Sequence, residues 1–407
     1  MKKNIYIGMS GGVDSSVSAL LLKQQGYNVT GVFIKTWQPD YIECTWKNDR
    51  LDAIRIAAQL DISFITLDLE KEYKEGVVDY MINEYMAGYT PNPDIMCNRE
   101  IKFGAFYKYV KSIDANAIIA TGHYANVMNG NPSLGKVTKA EGRNLNLALS
   151  KAIDQSKDQV YFLSQIDRNI LSDIIFPLGE MMKSEVRQIA QDNNLYVANK
   201  KDSQGICMLG NISMKDFLKK EIEMRNKNGI FKDAQSDLMY YTIGERIDFN
   251  INEIKNLSFN VLIIDEKNKN YNKTDVAISD KNQKSYYVVA KNIKDNTLFI
   301  STNKIENNKS KVYKIESWNY TSNIELKENN IYEGQSRYHG PIHNFKILDY
   351  EMTLGMNDIM NLDDDNKEIS FKYILNIEVQ DENTLMVPGQ TIVFYDGNIM
   401  IGGGIIE

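Results

Sequence analysis

The residues with the clearest chemical potential lie ten positions into the chain, where serine, glycine and aspartate are clustered. The stretch reads Ser10-Gly11-Gly12-Val13-Asp14-Ser15-Ser16 and lies between a short apolar run and a segment with apolar residues at helical spacing. Glycines let the backbone approach a ligand closely, helix N-terminal amides attract anions, and serine hydroxyls donate to phosphate oxygens. The stretch therefore predicts a phosphate-binding loop. An ordinary turn with Asp14 as a helix cap is the alternative.

The loop differs from the common nucleotide-binding loop, because no lysine precedes its serine pair as the pattern G-x-x-x-x-G-K-[ST] requires. In this respect it resembles the PP-loop of ATP pyrophosphatases, which release pyrophosphate and leave AMP on a carbonyl oxygen. The resemblance implies ATP as substrate, with Mg²⁺ offsetting phosphate charge as pyrophosphate departs. The residues expected to contact the nucleotide are Gly8, Met9, Ser10, Gly11, Gly12, Val13, Asp14, Ser15, Ile34 and Gly122.

Cys97 is the first candidate for a reactive thiol. It follows the rigid Asn92-Pro93-Asp94 segment, and Asn98 is expected to cap a helix that begins near Arg99. A helix N-terminus and a nearby cation both lower the pKa of a thiol and favour the nucleophilic thiolate. Asp94 is placed to exchange a proton with a reacting group. A buried structural cysteine beside a turn is the alternative.

The other two cysteines differ in their setting. Cys207 lies between Gly205 and Gly210, which suits a mobile loop that carries a thiol between two sites. Cys44 lies in a polar stretch after the second predicted strand, and we expect it to be non-catalytic. Three scattered cysteines are too few for a disulfide scaffold, and their spacing fits no zinc ribbon.

Strand-like and helical segments alternate through the first two hundred residues. This alternation predicts a parallel sheet covered by helices on both faces, with ligands outside the carboxyl ends of its strands. The loops starting at Ile34 and Thr121 are expected to frame an adenine and its ribose. His123, in the second loop, is expected to be a hydrogen-bonding wall residue in preference to a general base. The predicted strands are 29–34, 64–67 and 117–120, and the predicted helices are 51–60, 71–86 and 99–110.

Composition limits the class of protein. A chain of 407 residues exceeds the size of a single core, so two or three domains are expected. No stretch reaches the length of a membrane span, and Met1 leads directly into the first strand, so we expect a cytoplasmic protein without membrane partners. The net charge of −7 argues against nucleic acid, although the stretch 281–314 contains eight lysines and two acidic residues.

Five motifs in order give the chain a specific resemblance. SGGVDSS, GYTPNPDIMCNREIKF, TGHYA, KDQVYFL and DSQGICMLG together resemble the tRNA-specific 2-thiouridylases. The resemblance outweighs the net charge. It resumes near the end, where Val387 to Glu407 is similar to the closing β-barrel of that family.

The resemblance implies an α/β fold with a parallel-sheet PP-loop nucleotide-binding domain, a small central domain and a C-terminal β-barrel. The expected boundaries are 1–206, 207–284 and 285–407. In the central part the chain departs from the family pattern HTIGQRKG, because residues 241–248 read YTIGERID, with Ile247 in place of a lysine. Residues 355–365 look like an insertion in the closing domain.

The resemblance also implies a mechanism. ATP would adenylate the 2-carbonyl oxygen of the wobble uridine in certain tRNA anticodons. A persulfide on Cys207, loaded by a cysteine desulfurase or a relay protein, would deliver sulfur to the activated carbon. Cys97 would then cleave the sulfur–sulfur bond, leaving a transient disulfide with Cys207 that external thiols reset. Asp94 would act as acid or base.

The same resemblance assigns residues to the RNA. The uridine leaves its stack, which a single-stranded anticodon loop permits at low cost. Lysine and arginine would hold phosphates, Tyr338 would stack, and Asp158 or Gln159 would hydrogen-bond a base. The residues expected to contact the target base are Asn92, Pro93 and Asp94, and those expected to face the rest of the tRNA are Lys157, Asp158, Gln159, Arg337 and Tyr338.

Three alternatives remain open at this point. An amide-forming PP-loop ligase needs no cysteine pair and would tolerate Cys97→Ser and Cys207→Ser. A non-catalytic tRNA-binding protein would release neither AMP nor pyrophosphate in the presence of tRNA. An iron–sulfur cluster held by Cys97, Cys207 and Asp94 would replace the persulfide route, although the spacing of these residues does not demand it.

Overall fold

The computed structural model describes residues 3–42, 46–129, 146–201, 212–227, 237–247, 258–263, 285–301, 312–354, 371–381 and 384–407. Cys44, Cys207 and the apparent insertion at 355–365 therefore lie outside the described residues. Within the described ranges, no helix combines the length and apolar character needed to cross a bilayer.

Helices and strands alternate in the first part of the chain, and strands dominate the last part. The strands are β1 (Asn4–Gly8), β2 (Asn28–Lys35), β3 (Ser63–Asp68), β4 (Ile118–Ala120), β5 (Asn126–Asn129), β6 (Leu147–Ser150), β7 (Ile174–Ile175), β8 (Arg246–Ile247), β9 (Asn260–Ile263), β10 (Tyr286–Asn292), β11 (Thr297–Ser301), β12 (Val312–Tyr320), β13 (Ile331–Gln335), β14 (His343–Leu354), β15 (Phe371–Val379), β16 (Thr391–Asp396) and β17 (Ile399–Ile406). The α-helices are α1 (Val13–Gln24), α2 (Trp46–Gln59), α3 (Glu70–Tyr73), α4 (Tyr80–Met86), α5 (Pro93–Met96), α6 (Phe106–Ile113), α7 (Lys183–Asp192) and α8 (Met214–Lys227).

The first part of the chain is built on a parallel sheet with strand order β3-β2-β1-β4-β7. Ile5 and Ile7 in β1 are fully buried, as expected for a central strand covered by helices on both faces. The chain order reverses between β1 and β4, because β2 and β3 extend the sheet on one side of β1 and β4 lies on the other. A crevice at such a switch point is where sheets of this kind bind ligands.

Two long helices each contain a π-helical segment. The first joins α3 to α4 through Lys74–Asp79, and the second joins α5 to α6 through Cys97–Ala105. The second helix thus runs without a break from residue 93 to residue 113. The sequence predicted a start near Arg99 with Asn98 as the cap, and this was wrong. Asn92 caps the helix, because Pro93 has the fixed φ and missing N–H that suit a first helical position.

The last part of the chain closes into a six-stranded antiparallel barrel. Its strands follow the order β12-β15-β14-β13-β16-β17, and β12 pairs with β17 to close it. The β5–β6 hairpin, which comes from the first part of the chain, attaches to β17 at the pair Ile399–Ser150. The expected fold class, a parallel-sheet unit, a central part and a C-terminal barrel, is confirmed.

A small mixed sheet forms the central part. Its order is β8-β10-β11-β9, so residues 286–301 pair with central strands and not with the barrel. We therefore propose a boundary between Ser301 and Val312, later than the expected position at 284. Ile247 is 8% exposed and pairs with Tyr286 in the core of this sheet. It is therefore an apolar core residue.

A buried seam joins the first part of the chain to the barrel. The segment 160–169 lies along this seam, and its polar side chains and carbonyls bond directly to barrel strands. Gln165 is 7% exposed, so the carbonyls that it reaches depend on it for a donor. The hydrogen bonds that cross the seam include Tyr161 Oη to Thr391 O at 2.7 Å, Gln165 Nε2 to Gly403 O at 2.7 Å, Arg168 Nη1 to Ser322 O at 2.6 Å and Asn319 Nδ2 to Ser164 O at 3.0 Å.

We predict that Gln165→Met destabilises the protein by about 1–3 kcal/mol, because the Gly403 carbonyl loses its side-chain donor in a buried setting. Thermal unfolding of the full chain should show the midpoint lowered by a few degrees. The matched control is Gln191→Met on the exposed face of α7, which should leave the midpoint unchanged. Equal midpoints for the two variants would contradict the role given to Gln165.

Candidate functional site

The loops after β1 and β4 meet at the crevice where the strand order reverses. Gly11 has a φ of +72°, and a Cβ on it would lie 2.3 Å from the carbonyl oxygen of Asp49 at the start of α2. A Cβ on Gly122 would lie 2.8 Å from the backbone nitrogen of Ser15. Both glycines are therefore required for the backbones to approach this closely. The sequence predicted both residues as nucleotide contacts, and the structure places Gly11 within the phosphate loop and Gly122 against that loop at Ser15.

The serine side chains of the loop are held in place before any ligand arrives. Ser15 Oγ accepts a hydrogen bond from Ser10 N at 3.2 Å and lies 3.3 Å from Ser10 Oγ. Ser16 Oγ donates to Gly12 O at 2.7 Å and is fully buried. Ser10 remains exposed. The hydroxyls of Ser10 and Ser15 therefore lie side by side at the mouth of the loop, whereas Ser16 stabilises the first turn of α1.

Met9 and Val13 contribute through their backbone. The Met9 side chain is 2% exposed and its sulfur would lie 2.5 Å from a Cβ on Gly31, so it packs under β2. Val13 is 4% exposed and belongs to the same core. Gly8 is the last residue of β1 and Ile34 the second-to-last residue of β2, so both lie at the carboxyl edge of the sheet.

Asp14 is the carboxylate of the loop, and two side chains from distant parts of the chain bind it. Lys183 Nζ, at the start of α7, lies 2.6 Å and 2.9 Å from its two oxygens. Tyr124 Oη donates to Oδ1 at 3.0 Å. The sequence did not reveal Lys183, because it lies 169 positions from Asp14 and no local pattern links them.

Lys200 binds the loop from the other side. Its Nζ donates to Gly11 O at 3.0 Å and lies 2.8 Å from carboxylate oxygens of both Asp49 and Asp52 on α2. The lysine thus holds α2 against the loop where the backbones of Gly11 and Asp49 are in close contact. Sequence reasoning also missed this residue.

The crevice has the donor set that a nucleotide triphosphate requires. The loop offers glycine backbone and two hydroxyls at its mouth, and Lys183 at the start of α7 adds an ammonium group. Side chains at Gly11 or Gly122 would collide with Asp49 or Ser15 and displace the loop. Asp14 is the loop carboxylate that would face a metal. Mg²⁺ in such sites is held by one or two carboxylates together with substrate phosphates, so Asp14 fits this ion only as a partner of the nucleotide.

Asp94 and Asn92 lie at the start of the 93–113 helix. Asn92 Oδ1 accepts hydrogen bonds from the backbone nitrogens of Asp94 and Ile95, at 3.2 Å and 3.4 Å. The loop before them is fastened to the barrel, because Thr90 N donates to Pro388 O at 2.9 Å. Pro93 is buried, whereas Asn92 and Asp94 are half-buried.

Burial raises the pKa of the Asp94 carboxyl above its ordinary value of 3.8, and the positive charge of Lys102 partly opposes this. Lys102 also lowers the pKa of His123, although burial is the larger cause there. The Lys102 ammonium group therefore lowers the pKa of both the Asp94 carboxyl and the His123 imidazole. Lys102 is part of the motif quoted above, but sequence reasoning gave it no role.

Cys97 begins the π-helical segment, one turn into the helix, and its side chain is 9% exposed within an apolar cluster. Its neighbour Asn98 donates from Nδ2 to Phe162 O at 3.1 Å. Arg99 Nε pairs with Glu100 at 2.7 Å. The helix therefore starts six residues before the expected position, at Pro93 and not near Arg99, and the nearby cation Arg99 is paired with a carboxylate.

His123 is buried and its ring is in hydrogen-bond distance of a neighbouring side chain. Thr121 Oγ1 lies 2.7 Å from Nδ1, and the rings of Phe103 and Phe176 pack against the imidazole with centroids 5.9 Å and 6.1 Å away. Burial, followed by the charge of Lys102, holds the pKa of His123 well below 6.5. The imidazole is therefore neutral at physiological pH and suits hydrogen bonding better than proton abstraction.

The residues expected to face tRNA lie at the junction of the first part and the barrel. Tyr338 is half-buried, with its ring 4.2 Å from Phe162, and burial raises its pKa to about 12. Arg337 is exposed, and Lys157 is half-buried.

Two neighbours are already engaged within the protein. Asp158 Oδ1 accepts from Ala152 N at 2.8 Å, and Gln159 Oε1 accepts from Tyr124 N at 3.1 Å. Their side chains thus hold the local backbone, which leaves Tyr338 and Arg337 as the better candidates for RNA contact.

Comparison with known proteins gives a consistent result over the whole chain. A family model described as "tRNA methyl transferase HUP domain" matches residues 3–211, and one described as "Aminomethyltransferase beta-barrel domain" matches residues 368–406. A tRNA-specific 2-thiouridylase MnmA from Oceanobacillus iheyensis is 34% identical over 419 residues, which cover 100% of this chain and 96% of the relative.

Two further relatives carry the same name. The protein from Listeria monocytogenes serotype 4b (strain CLIP80459) is 36% identical over 411 residues, which cover 99% of this chain and 94% of the relative. A protein from Geobacillus kaustophilus is 48% identical over 252 residues, which cover 60% of this chain and 64% of the relative. With a switch-point loop of the PP type at one end and a closed barrel at the other, the chain belongs to the tRNA-specific 2-thiouridylase family.

Proposed function

We propose that this protein is a tRNA uridine 2-sulfurtransferase, which uses ATP to activate the 2-carbonyl of a wobble uridine and replaces its oxygen with sulfur from a persulfide. The observation that carries the proposal is the contact between the phosphate loop and the helix that bears Cys97. A Cβ on Gly8, where β1 leads into the loop, would lie 4.0 Å from the Phe106 ring of that helix, and a Cβ on Gly122 would lie 2.8 Å from the backbone nitrogen of Ser15. The nucleotide loop and the Cys97 helix therefore border one reaction space.

At the nucleotide end, the chain binds and orients phosphates. The loop amides and the hydroxyls of Ser10 and Ser15 bind the distal phosphates, and Lys183 shifts from Asp14 towards the added negative charge. Asp14 is then available to a magnesium ion, which when bound offsets phosphate charge as pyrophosphate departs. Lys200 holds the Gly11 carbonyl and keeps the loop closed against α2.

At the base end, Asp94 moves a proton. Because burial raises its pKa, Asp94 retains a protonated fraction closer to neutral pH than an exposed aspartate does. It can therefore donate a hydrogen bond or a proton to the uracil ring as electron density shifts, and accept it again when sulfur is installed. Asn92 and Pro93 fix the position of Asp94.

The two thiols complete the exchange. The terminal sulfur of a Cys207 persulfide bonds to C2 of the activated uridine, and the original oxygen leaves as part of AMP. The Cys97 thiolate then attacks the Cys207 sulfur, so that the transferred sulfur stays on the base and a Cys97–Cys207 disulfide forms. External thiols reduce that disulfide for the next cycle. A persulfide-carrying donor protein reloads Cys207.

We predict that Cys97→Ser and Cys207→Ser each abolish 2-thiouridine formation, while pyrophosphate release in the presence of tRNA continues. Nucleoside mass spectrometry of unmodified tRNA, incubated with protein, ATP, magnesium and a persulfide donor, measures the product. A protein that keeps full product formation in both variants would be an enzyme of another class, such as an amide-forming ligase. Product that depends on an added iron–sulfur cluster would contradict the persulfide route.

Asp94→Asn should lower the rate of 2-thiouridine formation by about 100-fold or more, the range of a lost general acid or base. The same substitution should raise the stability of the protein near neutral pH, although it lowers the rate. The folded protein holds the Asp94 proton to a higher pH than the unfolded chain does, so ionisation of this carboxyl lowers stability as pH rises above 3.8 through the raised pKa.

The asparagine cannot ionise, so the variant should match the wild type in acid and become relatively more stable towards neutral pH. Thermal unfolding midpoints from pH 4 to pH 8 test this, with Asp396→Asn at an exposed barrel turn as the control. A variant that loses stability at neutral pH would show that Asp94 is held as a charged structural group.

Lys200→Met should raise the KM for ATP by about tenfold, because the Gly11 carbonyl loses a charged donor. The kcat should change less, and Lys200→Arg should restore part of the affinity. Pyrophosphate release at varied ATP concentration measures both constants, and Lys201→Met, at the exposed neighbouring position, is the matched control. A lowered unfolding midpoint with an unchanged KM would assign Lys200 a structural role only.

A further inference from the structure

A polar pocket lies on the barrel at its junction with the 167–169 loop. Its volume is about 570 Å³, within the range of small-molecule sites. Three barrel strands, β12, β14 and β15, and the turn after β12 supply its other walls. The lining residues are Asp167, Arg168, Asn169, Trp318, Asn319, Tyr320, Ser322, Asn323, Glu325, Leu326, Tyr350 and Tyr373.

Aromatic rings dominate one side of this pocket. Trp318 and Tyr320 pack edge to face with centroids 5.9 Å apart, and Tyr320 and Tyr373 do so at 5.2 Å. Tyr350, on β14, is 42% exposed. Such rings offer flat surfaces on which another planar ring can stack.

The opposite walls are held rigidly by hydrogen bonds. Arg168 Nη1 donates to Ser322 O at 2.6 Å, and Asn319 Nδ2 donates to Ser164 O and Ile166 O. The Asp167 carboxylate accepts from Asn169 N at 2.9 Å. The pocket is therefore formed before a ligand arrives, and its shape does not depend on induced folding.

Trp318 supports the aromatic side of the pocket from beneath. The residue is 2% exposed and its Nε1 atom is buried, so the indole packs under Tyr320 and does not offer its N–H to a ligand.

Charge excludes a phosphate as the main bound group. The pocket has two carboxylates, at Asp167 and Glu325, and one guanidinium group, at Arg168, which already donates to Ser322. A phosphate would be repelled, whereas the amino groups of a nucleobase would find acceptors in the carboxylates.

We infer that this pocket binds a nucleobase with its ribose, stacked on the tyrosine side and with its amino groups facing the carboxylates of Asp167 and Glu325. The nucleobase could come from two sources, a base swung out of the tRNA or a free nucleoside. The first source rests on the proposed function. The pocket is linked to the Cys97 helix through one segment, because Asn98 bonds to Phe162 O and Arg168 follows six residues later. A base held here would fix the tRNA relative to that helix.

The test uses the full-length protein with Tyr350→Ala, Tyr350→Phe and a control, Ile331→Ala, an exposed barrel residue that does not line the pocket. Guanosine and cytidine are the free probes, since adenosine and uridine have other expected sites. Saturation-transfer NMR should detect both nucleosides with the wild type, Tyr350→Phe and Ile331→Ala, and lose the signal with Tyr350→Ala.

Binding of fluorescently labelled, unmodified tRNA at several salt concentrations identifies the source. If the base comes from tRNA, Tyr350→Ala should weaken binding by about tenfold, the order of one lost base–aromatic stack. The slope of log affinity against log salt should be unchanged, because no phosphate contact is removed. Nucleoside binding with unaltered tRNA affinity would assign the pocket to a free nucleoside.

Two results would overturn the inference. One is that neither nucleoside binds and Tyr350→Ala binds tRNA like the wild type. The other is that arginine amide, used as a probe for a basic peptide, binds in place of the nucleosides. If the wild-type protein makes no 2-thiouridine, the proposed function is refuted. The nucleoside experiment would still show whether the pocket binds a nucleobase.

Discussion

The close contact between the loops after β1 and β4 is the constraint on which the rest of the site depends. Gly122 and Ser15 approach so closely that a Cβ would lie 2.8 Å from a backbone nitrogen. On the other side, the Asp49 carbonyl occupies the space beside Gly11. The phosphate loop is thus held between the neighbouring loop and α2, and its conformation is fixed before binding. Because these amides and hydroxyls are preorganised, binding a charged group needs no further free energy to reorient them.

The 93–113 helix transmits this constraint to the second half of the site. Near one end, a Cβ on Gly8 would lie 4.0 Å from the Phe106 ring, beside the phosphate loop. At the other end Asn92 caps the helix, and Thr90 is bonded to the barrel. A single rigid element therefore sets how far the acid at residue 94 and the thiol at residue 97 lie from the nucleotide. The π-helical segment that begins at Cys97 is the kind of distortion often found at functional sites.

The sequence was informative where function depends on local patterns. The strand, glycine turn and helix around residues 4–24 could be predicted, because glycine conformation and apolar periodicity act over a few neighbours. The helix start was misplaced, because the capping residue was sought beside Cys97 although Pro93 already marked the first turn. Lys183 and Lys200 were missed for a different reason. Their partners Asp14 and Gly11 lie 169 and 189 positions away, and only the folded chain brings them together.

An acidic chain that acts on RNA must obtain its affinity in a particular way. With a net charge of −7, counterion release favours binding only at local basic positions such as Arg337. Stacking does not depend on net charge, and the junction offers it where Tyr338 packs on Phe162. Phe162 is also the residue whose carbonyl holds Asn98, next to Cys97. Under the proposed function, a base stacked on Tyr338 would lie beside Phe162, whose carbonyl accepts from Asn98 next to Cys97. Recognition of the RNA and placement of the thiol would then share one set of contacts.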